Sequence, residues 1–208
     1  MEIVPSDADR IVGLYERHAH AWDAERGGDL SMEKTWMARF VALMRPGASL
    51  LDLGCGSGQP IARHLIEHGF HLAGIDSSPT LIALCGERFP AHDWRVADMR
   101  TLALNRKFQG LMAWDSFFHL IPAQQRRLFS IFREHAAAGA ALMFTSGPSH
   151  GEAIGSLCGE RLYHARLAPA EYRELLAAHG FRVMAHRAED ALCGRHTVGV
   201  AQEAVAKE

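Results

Sequence analysis

The stretch Leu50-Leu51-Asp52-Leu53-Gly54-Cys55-Gly56-Ser57-Gly58 decides the fold. An apolar run leads through an acid into three glycines at alternating positions. A strand ending in a glycine-rich turn, with a helix behind it, is how open α/β sheets build a nucleotide pocket. Glycine suits the turn because it adopts positive φ and lets a ligand approach the backbone. The spacing reads G-x-G-x-G, not the G-x-G-x-x-G of a dinucleotide fingerprint, which disfavours an NAD-dependent dehydrogenase. Pro60, just beyond, suits the first turn of a helix. Asp52 stands at the carboxyl end of the strand, where an acid is a poor neighbour for a pyrophosphate and a good one for an ammonium.

Strands and helices alternate outward from this point. Strands are expected at Ser49–Leu53, Phe70–Ile75, Trp94–Ala97, Phe108–Trp114 and Ala140–Thr145. Helices are expected over Pro60–Glu67, from a Ser78 cap and Pro79 to Arg88, and over Pro122–Ala137. Upstream, Ile11, Val12, Leu14, Tyr15, Ala19 and Trp22 form a helical stripe that Gly27 and Gly28 break. Ser31 reads as the N-cap of a second helix carrying Trp36, Met37 and Phe40 and stopping before Pro46. Downstream, Ser146 to Glu160 contains Gly147, Gly151, Gly155 and Gly159 and reads as a loop or lid over a site. A strand at Arg161–Leu167 and a helix at Pro169–His179 follow. Phe181–Ala185 and Thr197–Ala201 are then two paired strands with no helix signal between them. The pattern predicts a doubly wound, mostly parallel α/β sheet with an antiparallel finish. It forms one domain over 1–208, with a helical cover (1–45), a binding core (46–146) and a lid segment with the C-terminal strands (147–208).

Composition narrows the function classes. With 48% hydrophobic and 22% charged residues the chain reads as an ordinary globular domain. Its formal net charge of −2 argues against a nucleic-acid partner. No long apolar segment points to a membrane, so the expected location is the cytoplasm. The cysteines at 55, 85, 158 and 193 lack C-x-x-C pairing, so neither a disulfide framework nor a zinc site is expected. No H-E-x-x-H spacing joins His150, His164, His196 and Glu152, so no metal is expected; one of these histidines near a site is the better reading.

Three more stretches carry chemistry: Gly74-Ile75-Asp76-Ser77-Ser78-Pro79, Val96-Ala97-Asp98-Met99 and Ala113-Trp114-Asp115-Ser116-Phe117-Phe118-His119. All close consecutive strands at their carboxyl ends, where open α/β sheets bind ligands. Asp76 can accept hydrogen bonds from ribose hydroxyls. Asp98 can accept from an exocyclic amine, with Met99 against a purine face. His119 is the natural base near neutral pH, and Asp115 is the competing candidate. Trp114, Phe117 and Phe118 are either core or a wall for an apolar or cationic acceptor.

On these residues the chain, from about Tyr15 to its C-terminus, resembles the class I S-adenosylmethionine-dependent methyltransferases. The resemblance implies a seven-stranded sheet with an antiparallel last strand under an N-terminal helical cover. It implies S-adenosylmethionine as cofactor and S-adenosylhomocysteine as product. The loop with Asp52, Gly54, Cys55, Gly56 and Gly58 would hold the methionine moiety, Asp76 and Ser77 the ribose, and Asp98 and Met99 the adenine. Trp114 to His119 would line the transfer site, with Asp115 and His119 catalytic, and Tyr15 and Trp22 would belong to the cover. The implied activity is in-line methyl transfer to an O, N or S nucleophile of a small metabolite, by a monomer or homodimer. An RNA or protein methyltransferase is disfavoured by the missing N-P-P-Y-type motif and basic surplus. A non-catalytic nucleoside-binding module is disfavoured by the intact motif set.

Overall fold

β1 (Ser49–Leu53) lies near the centre of a seven-stranded sheet. Leu50, Leu51 and Leu53 are all buried, as a parallel strand covered on both faces requires. β2 (His71–Asp76) pairs with it on one side and β4 (Phe108–Ala113) on the other, both parallel. β3 (Asp93–Val96) is the short edge beyond β2, and β5 (Ala136–Ser146) lies beyond β4. β8 (Phe181–Asp190) and β9 (His196–Glu203) complete the order β3-β2-β1-β4-β5-β9-β8. β9 is antiparallel to both its neighbours. The seven strands and the antiparallel last strand match the expectation. The computed structural model describes residues 6–204. Residues 1–5 of the expected cover and 205–208 of the C-terminal segment lie outside the described residues.

Alternating side chains split the core in two. Leu51, Leu53, Leu111, Leu142 and Phe144 pack with Phe129 and Phe132 of α5 (Pro122–His135) and Tyr172 and Leu176 of α6 (Pro169–Ala178). On the other face Leu50, Leu72, Met112 and Met143 meet Trp36, Met37 and Phe40 of α2 (Lys34–Val41) and Ile61 and Leu65 of α3 (Ile61–Glu67). α4 (Pro79–Arg88) starts as expected, with the Ser78 hydroxyl accepting the Leu81 N–H at 3.2 Å and Pro79 in the first turn. No helix among the described residues is long and apolar enough to cross a membrane.

Two local expectations are corrected. Ser31 does not cap α2; its backbone N–H donates to the buried Glu33 carboxylate at 3.1 Å, and the helix begins at Lys34. The segment expected as a loop or lid is largely a hairpin, in which β6 (Gly151–Leu157) pairs antiparallel with β7 (Glu160–Arg166). β6 is solvent-facing along most of its length and forms a separate two-stranded sheet. It therefore lacks the apolar alternation by which a half-buried strand is read.

α1 (Ile11–Arg26) runs past Trp22 and is fastened to α4 by polar contacts. Glu16 accepts the Thr80 hydroxyl at 2.7 Å and the Thr80 N–H at 3.2 Å, and also the Ser78 hydroxyl. Arg88 donates two bonds to Asp23, at 2.7 and 2.6 Å. Charge-assisted hydrogen bonds are stronger than neutral ones, and these hold α1 against α4. Replacing Glu16 and Asp23 together by Ala is expected to raise amide exchange in α1 by about tenfold or more and to leave β1 and β4 protected. Unchanged exchange in α1 would contradict this fastening.

Candidate active site

A cavity opens at the carboxyl ends of β1 to β4, with α1 forming its other wall. Of the residues singled out in the sequence, Tyr15, Trp22, Gly54, Gly56, Asp76, Ser77, Asp98, Met99, Asp115 and His119 line it. Ile11, Ile75, Leu81 and Ala97 add apolar wall between these polar groups.

Four expected residues do not line the cavity. Asp52 is buried in β1, on the same strand face as Leu50. Cys55 turns away into a small cluster with Ile82 and Cys85. Gly58 backs onto the Phe89 ring and Cys85. Trp114 is buried and stacks on His196, with ring centroids 5.8 Å apart. Position at a strand end does not say toward which side of the sheet a side chain leaves, and this accounts for Asp52 and Trp114.

The glycine turn is built around close approach. Gly56 has φ of 56°, and a Cβ there would lie 2.5 Å from the Trp22 ring. Its N–H donates to Asp76 Oδ2 at 3.0 Å, and the Ser78 N–H donates to Oδ1 at 2.9 Å. An ionised carboxylate accepts about four hydrogen bonds, so each Asp76 oxygen keeps capacity toward the cavity. Burial raises the Asp76 pKa against the pull of those backbone N–H groups. Burial, with the charge of Asp76 beside it, pushes Asp52 up to about 7. Neither acid forms an ion pair among the described residues. Asp98 is engaged differently from the expectation. Its carboxylate takes the Arg100 guanidinium at 2.6 and 2.9 Å and caps the turn at Met99–Thr101 through the Arg100 N–H. Partial burial works against its charge, yet the Arg100 bonds outweigh that and leave its pKa lowered.

Two histidines flank Asp115: His119 lines the cavity, and His196, bonded to the Asp115 carboxylate, lines a second pocket. The His119 Nδ1 faces the Tyr163 carbonyl at 2.8 Å and its Nε2 faces the Tyr15 hydroxyl at 2.9 Å. A carbonyl only accepts, so Nδ1 carries the proton and the Nε2 lone pair receives the Tyr15 O–H. Burial brings the His119 pKa down to about 4, which fixes it as neutral. His196 has acceptors at both nitrogens: the Cys193 carbonyl at 2.8 Å from Nδ1, and the Asp115 carboxylate at 3.1 Å from Nε2. That is the imidazolium arrangement, and the Asp115 bond raises its pKa above 6.5. Asp115 itself has φ of 47°, an uncommon value for a residue with a side chain, and its N–H is held by the Thr145 hydroxyl at 2.8 Å. The His164 ring lies 4.8 Å from that of His119.

Some lining residues carry no signal in the sequence. Ser116 lies within a stretch singled out above, and its hydroxyl donates to the Leu53 carbonyl at 2.7 Å, closing the floor between β1 and β4. Arg100 and Gln124 come from a turn and a helix start with no motif to mark them.

These charge states predict a split titration. The His196 Cε1–H resonance is expected to have a midpoint above 6.5 that falls in Asp115→Asn, while His119 stays neutral down to about pH 4. With a raised folded pKa, His196 favours the fold below its unfolded value, and this is lost as pH rises through the folded one. With a lowered pKa, His119 withdraws stability as pH falls from 6.5 toward 4. A His196 midpoint identical in wild type and Asp115→Asn would contradict the assignment.

Comparison with known proteins agrees with this architecture. Residues 50–139 match the family model described as a methyltransferase domain. Over 114 residues the chain is 32% identical to dTDP-3-amino-3,6-dideoxy-alpha-D-glucopyranose N,N-dimethyltransferase of Streptomyces fradiae. That match covers 54% of this chain and 44% of the relative, so the chain spans less than half of the curated relative's length. Magnesium protoporphyrin IX methyltransferase from Synechocystis PCC 6803, solved with S-adenosylhomocysteine, superposes with a TM-score of 0.74 at 16% identity over 96% of this chain and 100% of that one. An amino pentose methyltransferase of calicheamicin biosynthesis from Micromonospora echinaspora gives 0.64 at 19% identity over 98% and 99%. At such identities the structural likeness is one of fold. Residues 50–139 thus match a methyltransferase domain, and the chain as a whole has the fold of S-adenosylmethionine-dependent methyltransferases.

Proposed function

We propose that the chain transfers a methyl group from S-adenosylmethionine to an O, N or S nucleophile of a small molecule. The observation that carries this reading is the single cavity shared by the glycine turn, Asp76 and the Asp98–Met99 pair at successive strand ends. The lining fits a ligand with a cationic amino acid end, a hydroxylated middle and an aromatic base. Asp76 has acceptor capacity left for two ribose hydroxyls, and Met99 offers an apolar face to the adenine. Asp98 contributes to the adenine end only as far as Arg100 shares it. Asp52, buried, and Asp76, half-buried, have no counter-cation among the described residues and favour a positive charge near the glycine turn. Asp52 acts there through its field, since it does not touch the cavity. The whole chain works as one domain, with α1 and α2 as the cover, in the cytoplasm and as a monomer or homodimer.

When bound, S-adenosylmethionine supplies an electrophilic methyl on a sulfonium. The wall residues divide the remaining work. Asp115 lies on the lining with a fixed backbone, so it can accept a hydrogen bond from the nucleophile and take up positive charge that develops on it. His119 remains at the wall, but its lone pair is filled by Tyr15, so its role is to hold the Tyr15 hydroxyl and α1 against the cavity.

Calorimetric titration with S-adenosylhomocysteine tests the reading. Asp76→Ala is expected to weaken binding by about tenfold or more, since a hydrogen bond to a charged group contributes about 1.5–3 kcal/mol. No binding by the wild type at millimolar ligand would sink the proposal. The affinity has a pH signature as well. An ammonium near Asp52 favours its ionised form, so binding below about pH 7 releases a proton and affinity rises with pH until Asp52 is ionised in the free protein. Equal affinity at pH 6 and 8, with no proton release across buffers, would remove Asp52 from the account.

A further inference from the structure

A second cavity lies behind the wall formed by the Asp115–His196 and His119–His164 pairs. It is built by the end of β5 and the turn after it (Ser146, Gly147), by β7 (His164, Arg166), by the β8–β9 turn and by Phe118. Its charges cancel in pairs, with one exception. Arg195 pairs with Glu189 at 2.9 Å, and His196 pairs with Asp115 at 3.1 Å. Arg166 has neither an ion pair nor a hydrogen bond among the described residues, and its Nε is shut off from solvent without a partner. The Ser146 hydroxyl of the same cavity is likewise buried and unpartnered. A charged N–H left in that state is costly, and a planar guanidinium matches an oxyanion bidentately.

The approach of Arg166 is built into the chain. Its side chain passes directly over Gly147, and a Cβ at that position would overlap its Cγ and Cδ. His164 and Arg166 are two residues apart on one face of β7, while Tyr163 and Ala165 are buried on the other. The strand thus carries one residue to the shared wall and the other to the far part of the cavity.

We propose that this cavity holds the methyl acceptor by an oxyanion, a carboxylate or a phosphate, bound by Arg166 with the Ser146 hydroxyl beside it. The proposal rests on the methyl-transfer reading above and adds the chemical class of the acceptor. Binding of benzoate, phenyl phosphate and neutral benzamide, measured by calorimetry on the full chain with and without S-adenosylhomocysteine, tests it. One of the two anions is expected to bind at least about tenfold tighter than benzamide, and which one does so distinguishes carboxylate from phosphate. The advantage is expected to vanish in Arg166→Gln and to return in part in Arg166→Lys. Gly147→Ala, which keeps the charge but displaces the guanidinium, should lose it too; this serves if Arg166→Gln fails to fold. Equal binding of anions and benzamide by the wild type, or an anion advantage unchanged in Arg166→Gln and Gly147→Ala, would overturn the proposal. Failure of the wild type to bind S-adenosylhomocysteine would instead count against methyl transfer, and the anion preference is read without it.

Discussion

The parallel pairing of β1 with β2 on one side and β4 on the other is the constraint from which the site follows. Chain order reverses at β1, so the connections leaving β1 and β4 diverge and a crevice opens between their carboxyl ends. The Ser116 hydroxyl on the Leu53 carbonyl spans that crevice at its floor, and the Asp115 N–H on the Thr145 hydroxyl ties β4 to β5. These two bonds set the place of Asp115, and its left-handed backbone is held from both sides. α1 then closes the crevice from above through its contacts with α4.

Electrostatics give the crevice a direction. Two carboxylates, Asp52 buried and Asp76 half-buried, lie on the glycine-turn side with no counter-cation among the described residues. On the opposite side burial keeps His119 neutral, while the Asp115 carboxylate raises the pKa of His196 behind it. The same residue type is shifted in opposite directions at the two positions, down by burial at His119 and up by the Asp115 carboxylate at His196. Behind that wall the surplus charge is positive, on Arg166.

The sequence shows the sheet because its signals are local: an apolar run, a glycine turn, an acid at each successive strand end. The glycine spacing and the acids Asp76 and Asp98 carry most of the first cavity. What the sequence hides is set by side-chain direction and distant pairing. Asp52 and Trp114 sit at strand ends yet point away from the cavity. His196 meets Asp115 across 81 positions, and Ser78 and Thr80 meet Glu16 across 62 and 64. The β6–β7 hairpin reads as a loop because its outer strand has no apolar face to alternate. Gly147 is read as a loop glycine until the Arg166 side chain is seen above it.

A crystal structure of the complex with S-adenosylhomocysteine would show how the cavity holds its ligand. Ribose hydroxyls are expected on the Asp76 carboxylate, the amino acid end at the Gly54–Gly56 turn, and the sulfur facing Asp115. A ligand bound with Asp76 untouched, or with its sulfur turned away from the Asp115–His119 wall, would contradict this.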